Sequence, residues 1–194
     1  MPAGKAPSRV TQLRSRAIRL LARRDYSRHE LSQKLMTRLM EEAAASAPDH
    51  DTDEDAGLQE ATSAIPPAQE IAGEIAGVLD QLEQLGLLSD RRAAEAYVRS
   101  RAARFGVARL SRDLRARGID ETLIASSLAQ EDIGQERQRA QTVWRNKFPA
   151  PPADLREWGR QARFLQGRGF SSDIIRSVLK EAKEAARKEK EHHE

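Results

Sequence analysis

The chain has 194 residues, a formal net charge of +3 and no cysteine. The lack of cysteine excludes disulfides, thiolate metal sites and thiol catalysis, and no stretch approaches the 18 apolar residues of a membrane span. Charged residues make up 32% of the chain and hydrophobic residues 39%, with only eight aromatics. Such a composition favours helices with a thin aliphatic core and solvated outer faces. We expect an all-α protein of the reducing cytoplasm, with no membrane contact.

Charge is strongly segregated along the sequence. Residues 1–38 carry ten basic and two acidic side chains, whereas residues 39–90 carry thirteen acidic side chains and no basic one. Residues 91–194 carry 23 basic and 15 acidic side chains. Two basic blocks around an acidic one predict a polyanionic partner, or an oppositely charged protein surface, for the basic parts.

Three helices are predicted in the first part of the chain. Apolar residues at helical spacing place the first over about 10–24. A capping box of Ser27 and Glu30 starts the second, which continues to Leu39. Helical periodicity is then lost, which predicts a disordered acidic insertion at about 42–66. The third helix is predicted over about 67–84, with Gly86 as its C-cap residue and Ser89-Asp90 as the cap of the following helix.

Six more helices follow, each bounded by a cap residue, glycine or proline. They are predicted over about 90–105, 107–117, from Asp120 to Leu128, 132–147, 153–167 and from Ser171 to Lys180. Beyond residue 180 the alternation of Lys, Glu and Ala can extend the last helix, but it offers no apolar face to bury.

One turn occurs twice at identical spacing. Leu114-x-x-Arg117-Gly118-Ile119-Asp120 matches Leu165-x-x-Arg168-Gly169-Phe170-Ser171. Glycine supplies a positive φ, the apolar residue after it packs back on the ending helix, and Asp or Ser caps the next helix. The predicted structural positions of these turns are Gly86, Asp90, Gly118, Ile119, Asp120, Gly169, Phe170 and Ser171.

The repeat predicts three tandem three-helix modules of helix-turn-helix type, stacked in an elongated, curved array. The predicted organisation is a flexible basic N-terminus at 1–9, module 1 at 10–88 with its insertion, module 2 at 89–130, module 3 at 131–180, and a charged helical extension or tail at 181–194.

Several strings in this order resemble the RecX family, whose members regulate the RecA recombinase. They are Leu21 to Leu31 with Lys34-Leu35, Leu85 to Asp90 with Ala94, Tyr97 to Arg101, Arg163-Phe164-Leu165 and Arg168-Gly169-Phe170. The resemblance implies a regulator that lies along the RecA filament on single-stranded DNA, and we expect the chain to be a monomer. The resemblance also implies inhibition of strand exchange and ATP hydrolysis, with a role in recombination, DNA repair and the SOS response.

A cluster of arginines is the candidate contact surface for this partner. Its members are Arg101, Arg104, Arg109, Arg112 and Arg115, with Arg163 at a corresponding position in module 3. The alternative is that these arginines lie on a solvated helix face and contact no partner. Arg117 and Arg168 could instead neutralise the C-terminal ends of their helices. Any direct binding to DNA is expected to be weak, electrostatic and sensitive to salt.

Other residues carry weaker functional interpretations. Six aromatics could stack on bases, but core packing fits them better: Tyr26, Tyr97, Trp144, Trp158, Phe164 and Phe170. The acidic run from Asp49 to Asp55 lacks the glycine and distal glutamate of a calcium loop. No catalytic triad or phosphate-binding loop is visible, so neither an enzyme nor a cofactor is predicted.

Two alternative functions follow from the same residues. A helix-turn-helix DNA-binding regulator would use the turns at Gly118 and Gly169, but would usually dimerise to read paired half-sites. No dimerisation heptad is evident. A nuclease that uses the acidic block with a divalent metal is the third and least supported hypothesis.

Overall fold

The structure is a computed structural model that describes residues 8–45, 68–129 and 133–192. In these ranges the chain forms nine α-helices and no strand, which confirms the predicted all-α class. The helices are α1 Arg9–Leu21, α2 Arg28–Ala45, α3 Ala68–Gln84, α4 Asp90–Arg101, α5 Val107–Ala116, α6 Glu121–Leu128, α7 Ile133–Arg145, α8 Leu155–Gly167 and α9 Ser172–Glu191. None of those described is long and apolar enough to cross a bilayer.

The chain divides into two compact units, Met1–Asp90 and Arg91–Glu194, here called unit 1 and unit 2. Unit 1 packs α1, α2 and α3 around one aliphatic core. Its buried residues recur at helical spacing, as at Leu31 and Leu35, because one stripe of each helix faces the other two. The chain turns at Gly86, whose φ is 68°, and buries Leu88 against this core.

The start of α2 has the predicted capping box. The Glu30 N–H donates to Ser27 Oγ at 3.1 Å, and the Ser27 N–H donates to a Glu30 carboxylate oxygen at 3.2 Å. The pair Ser89-Asp90 was predicted to cap α4, which begins at Asp90. The Asp90 carboxylate accepts the backbone N–H of Arg28 at 2.7 Å, so it satisfies a free amide at the start of α2.

Two predicted segment limits need correction in unit 1. The flexible N-terminus was expected to reach residue 9, but Ser8 caps α1 and the Arg9 guanidinium binds Glu74 at 2.6 Å. The insertion was expected from about residue 42, but α2 continues to Ala45. Glu42 pairs with Arg16 at 2.6 Å, and alanines have the strongest helix propensity. Residues 1–7 and 46–67 lie outside the described residues.

We expect the stability of unit 1 to fall in acid because of the Arg9–Glu74 pair. The hydrogen bond from Arg9 lowers the pKa of Glu74 below its ordinary value. Because the pKa of Glu74 is lower in the folded protein, the Arg9–Glu74 pair stabilises the fold at pH values above the unfolded-state pKa of about 4.3. This stabilisation is lost as the pH falls through the folded-state pKa. Glu74→Gln should therefore flatten the decline of the urea midpoint between about pH 5 and 3 in circular dichroism.

Glu70→Gln is the control for this pH dependence. Glu70 approaches the same guanidinium at 3.5 Å, but its side chain is 57% exposed against 23% for Glu74. Because solvent screens exposed ion pairs, we expect Glu70→Gln to change the acid decline of the urea midpoint less than Glu74→Gln does. An equal flattening in both variants would contradict the assignment.

Unit 2 has two hydrophobic cores, one for each of its three-helix modules. Helices α4, α5 and α6 enclose the first, which includes Leu110, Leu114 and Ile124. Helices α7, α8 and α9 enclose the second, which includes Trp144 and Leu165. Together with the core of unit 1, the described residues thus hold three cores, one for each helix triplet.

The two matching turns of unit 2 have the same geometry. Gly118 has a φ of 72° and Gly169 a φ of 87°. The next residue is buried in each case, with Ile119 4% and Phe170 3% exposed. The Thr122 N–H donates to the Asp120 carboxylate at 2.8 Å, which starts α6. In the second turn the Ile174 N–H donates to Ser171 Oγ at 3.4 Å.

Several helix ends differ from the sequence-based prediction. Helix α1 ends at Leu21 rather than near residue 24, and α4 ends at Arg101 rather than at Phe105. After each of these ends the backbone forms a 3₁₀-type hydrogen bond. The Arg23 N–H donates to the Leu20 carbonyl oxygen at 3.0 Å, and the Arg104 N–H donates to the Arg101 carbonyl oxygen at 2.9 Å. Periodicity alone does not detect this change, since the apolar spacing is maintained across it.

Helices α8 and α9 also depart from their predictions. Helix α8 starts at Leu155, two residues later than predicted, because Asp154 accepts the Glu157 N–H at 2.7 Å and acts as the N-cap. Helix α9 was expected to bury no apolar residue beyond Lys180. It continues to Glu191, and Ala182 packs on the core of module 3.

Candidate partner-binding surface

Modules 2 and 3 meet backbone to backbone within unit 2. The Gly106 N–H donates to the Arg168 carbonyl oxygen at 3.0 Å. A Cβ added at Gly106 would lie 2.6 Å from the Phe170 nitrogen, and one added at Gly169 would lie 2.6 Å from the Arg109 nitrogen. Only glycine allows backbones to come this close, so both positions fix how the modules join.

A buried carboxylate strengthens the same junction. Gly106 precedes α5 and has no side chain to cap it. The Val107 N–H instead donates to Glu136 of α7 at 2.9 Å. Glu136 is 7% exposed, and a carboxylate is favourable at the positive end of the helix dipole. No sequence pattern singles out Glu136, because only the tertiary structure brings α7 to this helix end.

Two of the predicted contact arginines are engaged inside unit 2. Arg109 donates to the Gly167 carbonyl oxygen at 3.1 Å, lies 3.7 Å from the Asp113 carboxylate and stacks over Phe105 at 4.2 Å. Arg115 donates to Glu121 at 3.0 Å. Their charges are therefore partly neutralised, and a role in partner binding stays a prediction.

The other four predicted arginines are exposed. They make no ion pair or side-chain hydrogen bond with any residue that the structure describes. Arg101 ends α4, Arg104 lies in the following turn, Arg112 is on α5 and Arg163 is on α8. Arg112 lies two residues before Leu114, and Arg163 lies two residues before Leu165, the matching leucine of the repeat. Modules 2 and 3 therefore carry an exposed arginine at the same position of the repeat.

The arginines before the glycines lie at the ends of their helices. Arg117 is the C-cap residue of α5 and stacks over Tyr97 at 4.3 Å. Arg168 is the C-cap residue of α8 and lies 5.2 Å from the Phe164 ring. These positions support the structural interpretation, because a cation is favourable at a helix C-terminus and over an aromatic face.

The aromatic side chains pack mainly in the cores. Tyr26, Trp144 and Phe170 are buried, while Tyr97, Trp158 and Phe164 are partly buried against the core of their module. Burial and a 2.7 Å hydrogen bond from Tyr97 to the Asp113 carboxylate raise the pKa of Tyr97. Core packing therefore accounts for these six residues better than base stacking.

Metal binding finds no support where the structure describes the chain. No group of three acidic or histidine side chains there could hold a metal ion. The acidic run from Asp49 to Asp55, considered above as a metal site, lies outside the described residues.

Comparisons with known proteins agree with this modular organisation. Family models described as the first, second and third three-helix domains of RecX match residues 14–47, 89–128 and 135–179. A protein named Regulatory protein RecX from Leptothrix cholodnii is 38% identical over 168 residues, covering 87% of each chain. One of the same name from Herbaspirillum seropedicae is 36% identical over 91% of this chain and 94% of its own.

Solved structures show the same fold at lower sequence identity. The crystal structure of RecX from Lactobacillus salivarius aligns with a TM-score of 0.62 and 20% identity, over 90% of this chain and 96% of that one. A second structure, of regulatory protein RecX, aligns with a TM-score of 0.59 and 18% identity, over 87% of this chain and 70% of that one.

Proposed function

Because the chain belongs to the RecX family of regulatory proteins, we propose that it binds the RecA filament on single-stranded DNA and inhibits strand exchange and ATP hydrolysis. It acts as a monomer in the cytoplasm, needs no cofactor and catalyses no reaction of its own. Its direct contact with DNA is weak, electrostatic and sensitive to salt.

The repeated arginine is the observation that carries this proposal. Arg112 and Arg163 occupy equivalent positions in two modules that are joined by close backbone contacts at Gly106 and Gly169. A filament presents identical protomers at a regular interval, so a regulator with repeated contacts can engage neighbouring protomers. Individually weak contacts then multiply through effective concentration.

Reversing both charges tests the proposed surface. We expect Arg112→Glu with Arg163→Glu to weaken inhibition of the DNA-dependent ATPase of RecA by about tenfold or more, since each close charge pair contributes about 1 kcal/mol or more. The measurement is the concentration for half inhibition at substoichiometric protein, together with filament length. Both arginines are exposed, so circular dichroism should show unchanged folding.

Arg145→Glu is the matched control in unit 2. Arg145 ends α7, is exposed and makes no ion pair with any described residue. Its reversal should change half inhibition by less than about twofold. Full inhibition by the double variant would reject this surface, and failure of the unmodified protein to inhibit RecA would reject the function.

The alternative of a helix-turn-helix DNA reader has less support from the structure. A recognition helix presents its N-terminal residues to base edges and phosphates in the major groove. Helix α6, which follows the turn at Gly118, contains no Lys or Arg and begins with Glu121. Helix α9, which follows the turn at Gly169, has Asp173 in its first turn. An acidic start disfavours approach to phosphates, so we do not propose sequence-specific reading of duplex DNA.

A further inference from the structure

A basic groove runs between α1 and α2 of unit 1. It is an open groove of about 860 Å³. Each helix contributes one face, at the three- and four-residue spacing that brings side chains into line. The cations that line it are Arg16 and Arg19 of α1, Arg23 in the turn after α1, and Lys34 and Arg38 of α2.

The carboxylates that line the groove are already paired. Glu30 accepts from Arg24 at 3.3 Å and also forms the capping box of α2. Glu41 accepts from Arg38 at 3.0 Å. These pairs neutralise the acidic groups without using Arg19, Arg23 or Lys34.

Three cations that line the groove have no carboxylate partner in the described part of the chain. They are Arg19, Arg23 and Lys34, and all three are exposed. Arg19 uses only its Nε, which donates to the Ser15 carbonyl oxygen at 3.3 Å. Its terminal nitrogens, the Arg23 guanidinium and the Lys34 ammonium therefore present a cluster of donors to solvent between the two helices.

We propose that this groove, here called the α1–α2 groove, binds the phosphate backbone of a single nucleic-acid strand. Arginine and lysine donors bind phosphate oxygens, and guanidinium can do so with two parallel hydrogen bonds. The groove has no aromatic lining residue on which a base could stack. Binding is therefore independent of base sequence.

An acidic amphipathic helix is the competing occupant, and it fits the groove less well. A helix bound in a groove is held by apolar anchors spaced along one face. Leu20 is the single apolar residue among those that line the groove. A backbone of phosphates needs no such anchors, which is why we assign the groove to a nucleic-acid strand.

The choice of a single strand rests in part on the proposed function, since the RecA filament contains one. The groove itself can be tested without RecA, so the two proposals can fail separately. The probe is fluorescein-labelled oligodeoxythymidylate, and fluorescence anisotropy gives its affinity for the full chain over a series of salt concentrations.

Removing these three cations of the groove should weaken binding in a salt-dependent manner. We expect Arg19→Ala with Arg23→Ala and Lys34→Ala to lower affinity roughly tenfold at low salt. The slope of log affinity against log salt should shrink by about 2, because each phosphate contact on a single strand contributes about 0.7. Arg23→Ala alone should shrink the slope by about 0.7, and Arg23→Lys should largely preserve it.

Arg14→Ala is the control for Arg23→Ala. Arg14 is an exposed arginine of α1, whereas Arg23 lies in the turn just after that helix. Arg14 has no ion-pair partner among the described residues and does not line the groove. We expect it to leave affinity and slope nearly unchanged. An equal effect of the two single changes would overturn the site, as would unaltered binding by the triple variant. Polyglutamate is the second probe. If the triple variant lost binding to polyglutamate but still bound the oligonucleotide as the unmodified protein does, the groove would be assigned to an acidic protein segment instead.

Discussion

Gly169→Ala is expected to lower the free energy of unfolding of unit 2 by about 3 kcal/mol. Its φ of 87° lies in the left-handed region, where a side chain costs about 1–2 kcal/mol. The new Cβ would also lie 2.6 Å from the Arg109 nitrogen. Forcing this junction apart costs about 1–3 kcal/mol more, as overpacking does elsewhere.

Urea unfolding followed by tryptophan fluorescence measures this loss, because both tryptophans, Trp144 and Trp158, belong to unit 2. Gly167→Ala is the control two residues away. It ends α8, and a Cβ there meets no atom within 4 Å. We expect it to be neutral or to stabilise by up to about 1 kcal/mol, since alanine is the better helix former.

Gly86→Ala separates the cost of backbone conformation from the cost of close approach. Gly86 has a φ of 68°, but a Cβ there meets nothing within 4 Å. Circular dichroism should therefore show a loss of only about 1–2 kcal/mol in unit 1. If Gly86→Ala and Gly169→Ala lower the free energy of unfolding by the same amount, the close backbone contact between modules 2 and 3 does not add to the cost of Gly169→Ala.

Gln161→Leu is expected to destabilise module 3 by about 2–3 kcal/mol. Gln161 is 1% exposed. Its side-chain oxygen accepts from Trp144 Nε1 at 2.7 Å, and its nitrogen donates to the Ala150 carbonyl oxygen at 3.3 Å. Leucine fills a similar volume but leaves a buried donor without a partner, which costs about 1–3 kcal/mol.

A double-mutant cycle with Trp144→Phe isolates this hydrogen bond. Phenylalanine removes the indole N–H, so the donor that Gln161→Leu would strand is no longer present. We expect the two changes together to cost at least about 1 kcal/mol less than the sum of the single changes. Thermal unfolding followed by circular dichroism measures all three variants, and simple additivity would show that the bond contributes little.

The proposed partner surface was only partly accessible to sequence reasoning. Charge counting found the arginine-rich stretch, and the repeat found the equivalence of Arg112 and Arg163. Neither could show that Arg109 and Arg115 are engaged with neighbours, because those contacts depend on α8 and on the start of α6.

The sequence by itself determined the helices, the capping box at Ser27 and the turn glycines, because these depend on residues within one or two helical turns of each other. Only the tertiary structure decided that Glu136 caps α5, that Asp90 serves α2, and that Gly106 lies against Gly169. Each of these joins residues 29 or more positions apart in the chain. Local periodicity carries no information on contacts between residues so far apart in the chain, because the packing of helices against one another creates those contacts.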